Sequence, residues 1–215
     1  MEIYSLHKSK ILREWITPQY LQSKTLSHLQ NSFSTQKPFP FLELSRFFHP
    51  QKAAAIKKVL ATETFQRKES DLFQFKQTPD FRSTSNLLLQ DFRNFLSSSE
   101  FVHYLNHITN TKCRVGKIDM AGTLYEDTDF LLCHDDLLEH RAIAFFYYLS
   151  DMTLKNGGTL NLYSSGQKQP TTIAAKIQPR ANTFAFFKVS ANSFHSVAEV
   201  LAGQRLAISG WFHDR

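Results

Sequence analysis

The chain is poor in cysteine: Cys113 and Cys133 are the only two among 215 residues. One pair cannot staple a disulfide framework, so a reducing compartment is expected, cytoplasmic or, in a eukaryote, nuclear. No apolar run approaches the roughly 20 residues that cross a bilayer, and no membrane partner is expected. The first stretch, MEIYSLHKSKILREW, interrupts its apolar residues with charges, unlike the continuous core of a secretory signal. A dense basic block is also missing. The net charge of +6 comes from scattered residues such as Lys52, Lys57, Lys58, Arg67 and Lys68. That distribution reads as a solvated surface and gives no direct sign of nucleic acid. Neither an internal repeat nor a low-complexity tract occurs. What is present is 42% hydrophobic residues with 20 Phe, enough apolar material to fill one substantial core.

The pattern along the chain changes once. Residues 1–37 are polar and helix-leaning, with Leu12, Trp15 and Ile16 as an apolar stripe; they are expected to form a helical extension. Pro38 and Pro40 mark an extended lead into a main domain over 38–215. Leu42 and Leu44 alternate with polar neighbours, as a strand does. Pro50 opens a helix in PQKAAAIKKVLATETFQ, and a helical zone runs from Ser85 to Thr109 with Leu88, Phe92, Phe95 and Leu96 in register. From Lys112 short apolar runs alternate with turn signals at Gly122, Asn156-Gly157-Gly158, Gly166, Pro170, Pro179 and Gly203. This reads as an antiparallel sandwich or barrel. Asn156-Gly157 predicts a hairpin joining Ala142–Leu149 to Thr159–Tyr163. The fold class is therefore mainly β with N-terminal helices, α+β.

One short segment carries chemistry. The apolar run in LLCHDD ends on His134-Asp135-Asp136. On an extended chain residues two apart share a face, so His134 and Asp136 can reach one ion while Asp135 points away. Cys133, opposite His134 in a regular strand, is expected in the core. The best third ligand is His195 in SANSFHSVAEV. Two imidazoles and one carboxylate leave coordination positions open, which suits Fe(II) in an oxygenase better than a closed structural zinc site. Arg205 follows His195 by ten residues, and Gly203 predicts a turn that would set the two on neighbouring strands. A guanidinium inside a sandwich needs an anion: the far carboxylate of a dicarboxylate cosubstrate, or an acidic side chain such as Glu199. His103 and His107 share a helix face, but Tyr104 stands where a zinc-protease helix would need glutamate. The sequence assigns Asp135, His140 and His213 no role.

The blocks TDFLLCHDD, RAIAFFYYLSD, NGGTLNLYSS, NTFAFFKVSANSFHSVAEVL and RLAISGWFH resemble the Fe(II)- and 2-oxoglutarate-dependent dioxygenases of the prolyl-hydroxylase group. More narrowly they resemble the ribosomal-protein prolyl 3-hydroxylase subfamily, whose members act on a proline of a small-subunit ribosomal protein. The resemblance runs from Pro38 to His213. It implies a double-stranded β-helix, a jelly-roll relative. It implies Fe(II) on His134, Asp136 and His195, 2-oxoglutarate held by Arg205, Tyr148 and Tyr125, and ascorbate as reductant. The implied partner is a protein substrate hydroxylated on proline. Ala207 stands where the subfamily often has serine. Alternatives within this chemistry are another residue, a free amino acid or a nucleobase; a metal-retaining module without turnover is the alternative outside it.

Overall fold

Side-chain caps decide where several helices begin. Ser9 accepts from the backbone N of Leu12 and starts α1, Lys10–Trp15. The second helix, α2, spans Ser23–Thr35. Pro50 stands at the first turn of α3, Pro50–Leu60, where its missing N–H costs nothing. Asn86 caps α4, Leu87–Leu96, and Ser98 caps α5, Ser99–Thr109. The helical zone expected at 85–109 is thus two helices: Ser97-Ser98 closes one and caps the next. The expected Pro50 helix stops at Leu60, short of Gln66. The structure, a computed structural model, describes residue 6 and residues 8–138 and 140–215. Among the described residues no helix is long and apolar enough to cross a membrane.

Among the described residues eleven strands form one antiparallel sheet rolled into a sandwich. They are β1 (Phe41–Ser45), β2 (Gln66–Ser70), β3 (Phe73–Gln77), β4 (Ile118–Tyr125), β5 (Phe130–His134) and β6 (Arg141–Tyr148), then β7 (Leu160–Gly166), β8 (Gln169–Ile177), β9 (Thr183–Lys188), β10 (His195–Val197) and β11 (Arg205–His213). One wall has the order β1-β9-β6-β11-β4 and the other β5-β10-β7-β8. Strand β3 joins the walls: Lys76 and Gln77 pair with β4, Phe73 and Gln74 with β5. This is the double-stranded β-helix, or jelly roll.

Alternation explains the apolar runs. Ile143, Phe145 and Tyr147 of β6, Phe184 and Phe186 of β9, and Leu206, Ile208 and Phe212 of β11 join one core cluster with helix residues such as Leu12, Trp15, Phe33 and Phe92. Ala144 and Tyr148, Ala185 and Phe187, and Ala207 face the other way, into the sandwich with Leu160, Leu162 and Val197. Strands buried on both faces read as unbroken hydrophobic stretches. Small residues on the inner face leave room for the site.

Three expectations about chain direction are corrected. Asn156-Gly157 does not make a hairpin between Ala142–Leu149 and Thr159–Tyr163. Strand β6 pairs with β9 and β11, whereas β7 pairs with β8 and β10. The glycines instead let the chain cross between walls, and Gly158 has a φ of +67°. Gly122 lies inside β4 rather than at a turn. A Cβ there would come within 2.5 Å of Leu60 Cδ1, so the missing side chain admits α3. His195 and Arg205 are not on neighbouring strands: β10 pairs with β5 and β7, and β11 with β4 and β6. The link at 198–204 carries the chain from one wall to the other, so the two residues stand on opposite walls of the sandwich.

Candidate metal and anion site

A bulge aims His134 inward. His195 pairs with His134 and Val197 with Leu131, so β5 spends one more residue than β10 over the same span. The extra residue turns both Leu131 and His134 toward the interior. Leu132 is left 48% exposed and Cys133 only half-buried, not in the core. The strand is not regular, which is why the alternation expected for Cys133 fails. Asp136 does not reach the site by strand pleat either. Strand β5 ends at His134, and Asp136 has φ +61°, left-handed backbone that aspartate tolerates better than most residues. Ser193 Oγ donates to the backbone O of Asp135 at 3.0 Å and ties this turn to the segment leading into His195.

The three expected ligands meet. One donor atom from each of His134, Asp136 and His195 lies within 4.8 Å of the others. His134 Nε2 is 3.5 Å from Asp136 Oδ1, and His195 Nε2 is 3.4 Å from Oδ2. Each Nδ1 faces a backbone carbonyl, of Leu132 at 2.9 Å and of Ser193 at 3.0 Å. A carbonyl can only accept, so the proton of a neutral ring sits on Nδ1 and the Nε2 lone pair faces the site. Burial and the nearby His134 push the His195 pKa down to about 4, which keeps that ring neutral. Burial opposes ionisation of Asp136, but the two facing imidazoles, when protonated, and the Trp211 N–H hold its pKa down to about 2. For His134 burial works downward, yet the hydrogen bond and charge of Asp136 raise its pKa overall. Two residues outside the expected set also grip Asp136. Trp211 Nε1 donates to Oδ2 at 2.9 Å and Arg141 Nη1 to Oδ1 at 3.2 Å. Two imidazole lone pairs and a carboxylate, with no thiolate among them, fit Fe(II) with positions left open.

Further inside, Arg205 is 1% exposed. Its Nε donates to the Gly158 carbonyl at 2.9 Å, while Nη2 is buried with no partner. The guanidinium lies 4.9 Å from the Tyr125 ring and 5.1 Å from the Tyr148 ring. No carboxylate pairs with it among the described residues; Glu199 instead offers its backbone O to the N of Gly158. Tyr148 Oη is buried and unpartnered, and so is Thr183 Oγ1. Thr183 stands opposite Tyr148 in the β6–β9 register. Burial drives the Tyr148 pKa up to about 12, so its hydroxyl remains a donor. An orphan guanidinium beside two orphan hydroxyls fits a small carboxylate. Tyr125, also raised by burial, stacks on Phe75 at 4.9 Å and walls this space. A cavity of about 70 Å³ lined by His134, Asp136, His195, Thr123, Tyr125 and Trp211, among others, is the opening beside the three ligands.

His103, His107, His140 and His213 stay apart from this cluster. His103 is exposed on α5 and His107 half-buried there. His213 Nε2 binds Asp119 at 2.9 Å, and His140 Nδ1 lies 3.5 Å from Asp214. Spacing gave no hint of Thr183 or Arg141, whose roles depend on which strands become neighbours.

The chain is similar to known proteins. The family described as the 2OG-Fe(II) oxygenase superfamily matches residues 120–213, a span holding all three ligands and Arg205. A prolyl 3-hydroxylase of Xenopus laevis is 39% identical over 181 residues, 82% of this chain and 35% of that protein. A mouse prolyl 3-hydroxylase is 34% identical over 209 residues, 95% of this chain and 38% of its own length. The chain thus spans well under half of the curated relatives it matches. A crystal structure of a Pseudomonas putida prolyl-4-hydroxylase superposes with a TM-score of 0.70 at 15% identity, covering 88% of this chain and 99% of that one. At that identity the likeness concerns the fold.

Proposed function

The chain belongs to the 2OG-Fe(II) oxygenase superfamily, and on that premise we propose that it hydroxylates a prolyl residue of a protein, using Fe(II) and consuming 2-oxoglutarate and O₂. The observation that carries the reading is the pairing of two features. Three ligand atoms lie within 4.8 Å of one another, and a fully buried guanidinium without an anion lies in the same interior. His134, Asp136 and His195 hold the iron. Arg205 and the hydroxyl of Tyr148 receive the far carboxylate of 2-oxoglutarate, with Thr183 beside them and Tyr125 as the wall. When bound, the iron and cosubstrate supply the oxidation of an unactivated C–H bond, with succinate and CO₂ as by-products.

The chain's own part is placement and exclusion. Carbonyls of Leu132 and Ser193 fix the two imidazoles in the tautomer that ligates. Arg205 and Tyr148 orient a dicarboxylate at its far end, so that its other end is directed at the ligand cluster. Phe75, Tyr125 and Phe146 line the cavity and limit water. The resemblance to the ribosomal-protein subfamily extends the proposal to a proline of a small-subunit ribosomal protein in the cytoplasm or nucleus, with ascorbate keeping the iron reduced.

The test is mass spectrometry of ribosomal proteins and proline-bearing peptides incubated with the purified protein, Fe(II), ascorbate and 2-oxoglutarate. A gain of one oxygen on a prolyl residue, matched by succinate, is expected. Succinate without prolyl oxidation would keep the oxygenase and remove the proline.

A further inference from the structure

Trp211 does two things at once to the carboxylate of Asp136. Its Nε1–H donates to Oδ2 at 2.9 Å. Its ring is also the platform for the Arg141 guanidinium, whose carbon lies 3.5 Å from the ring centroid and whose Nη1 donates to Oδ1 at 3.2 Å. Both carboxylate oxygens therefore have a donor besides the imidazoles. The two residues come from different strands: Trp211 lies in β11 opposite Ala144, and Arg141 starts β6 just past the irregularity between Phe212 and His213. That irregularity lets Arg141 fold back over the indole rather than follow the strand face.

The arrangement meets a need of this site. Asp136 sits in left-handed backbone beyond the end of a strand, so the ladder does not fix its side chain. A carboxylate free to rotate would have to lose that freedom each time it took a metal. Donors on both oxygens fix its plane beforehand, and the guanidinium offsets part of its charge. Outer partners of this kind typically change metal affinity by about ten- to a hundredfold.

We propose that Trp211 and Arg141 form a stacked positioning pair that presets Asp136 as a metal ligand and thereby sets the affinity of the site for a divalent ion. This rests on the reading of His134, Asp136 and His195 as ligands. It concerns neither the substrate nor the cosubstrate, and it can be tested without turnover.

The probe is Mn(II), titrated calorimetrically into metal-stripped protein without 2-oxoglutarate, together with melting of the metal-free protein. Trp211→Phe keeps the stacking platform and deletes one donor. Arg141→Gln keeps an N–H and deletes the charge, and Arg141→Lys restores the charge without the planar fork. Trp211→Phe and Arg141→Gln should each weaken Mn(II) binding by about tenfold or more. Arg141→Lys should recover part of that loss, and the metal-free melting temperatures should stay close to wild type. Mn(II) affinity within twofold of wild type in both deletion variants overturns the inference. So does a loss that Arg141→Lys leaves unchanged, or one that only tracks a fall in metal-free melting, since either would make these packing residues. Wild-type protein that takes up no Mn(II) would remove the ligand reading itself, and this inference with it.

Discussion

The guanidinium of Arg205 lies 5.1 Å from the ring of Tyr148, and the polar ends of both side chains, Nη2 and Oη, are buried without a partner. A buried charge left unpaired is costly in the absence of its anion. Stability in the empty state is thus given up for a ligand.

Arg205→Met should therefore behave in opposite ways with and without ligand. In the empty protein it removes an unpaired buried charge at similar volume, so melting should be unchanged or rise. With Mn(II) present, wild type should be stabilised by N-oxalylglycine, a non-reactive analogue of 2-oxoglutarate. At a hundredfold excess over its Kd that amounts to about 2.7 kcal/mol. Arg205→Met should lose this increment, and Arg205→Lys should keep only part of it because it cannot make the planar two-point contact. Thermal melts with and without the analogue decide it. A Met variant stabilised as fully as wild type would leave Arg205 without the assigned role.

Metal removal should show in the fold as well as in turnover. Stripping with EDTA should lower the melting temperature, and Fe(II) or Mn(II) should restore it. Asp136→Asn keeps the size of the side chain and an acceptor for Trp211, yet removes the negative charge. Its metal-free melting should fall, because the charge that Arg141 and Trp211 contact is gone, while Mn(II) affinity falls by more than the roughly hundredfold expected for an outer partner. Retention of wild-type affinity by Asp136→Asn in calorimetry would take Asp136 out of the ligand set.

Acid should destabilise the metal-free protein through His195. Its pKa is about 4 when folded, against about 6.5 for an unperturbed histidine. Between those values the unfolded chain binds more protons, so stability falls as pH drops from about 6.5 toward 4. His134 has the opposite sign, because its folded pKa is raised; its contribution is complete below 6.5 and fades as pH climbs through the folded value. Asp136 loses its contribution only as pH falls from the unfolded value toward about 2. Denaturant melts of metal-free protein between pH 4 and 7 should show the His195 slope, and His195→Gln should flatten it. An equal slope in that variant would assign the acid sensitivity to other groups.

How far the site was legible depends on what each residue's role requires. His134, Asp136, His195 and Arg205 stand out because few other roles need those side chains among apolar strands. The geometry inferred from their spacing was nonetheless wrong in detail. Pleating does not bring His134 and Asp136 together; a bulge and a left-handed turn do. Neither device leaves a period in the sequence. Asn156-Gly157 reads locally as a hairpin, but here the chain crosses from one wall to the other between β6 and β7, so the pairing of β6 is decided by distant segments. The exposed β2 and its partner β3 carry charged and polar residues in QRKES and FQFKQ and give little apolar signal. Thr183 and Arg141 become meaningful only once Tyr148 and Trp211 are beside them.

Two glycines of the paired strands β4 and β11 should separate sharply by mutation. At Gly122 an added Cβ would lie 2.5 Å from Leu60 Cδ1, the tip of a side chain that can change rotamer, and 3.1 Å from Thr78 Cγ2. At Gly210 it would lie 1.8 Å from the backbone O of Asp119 and 2.8 Å from Met120 Cα, in the middle of the β4–β11 ladder. A leucine tip can move for about 1–3 kcal/mol, the usual cost of overpacking. A paired backbone cannot move without breaking the ladder that also carries Trp211, Arg205 and Tyr125. Gly122→Ala should therefore fold, with lowered stability in denaturant melts and Mn(II) affinity near wild type. Gly210→Ala should be recovered poorly, or show weakened Mn(II) binding along with a larger loss of stability. If Gly210→Ala proved as stable as Gly122→Ala, the close approach of β4 and β11 behind the ligands would be refuted.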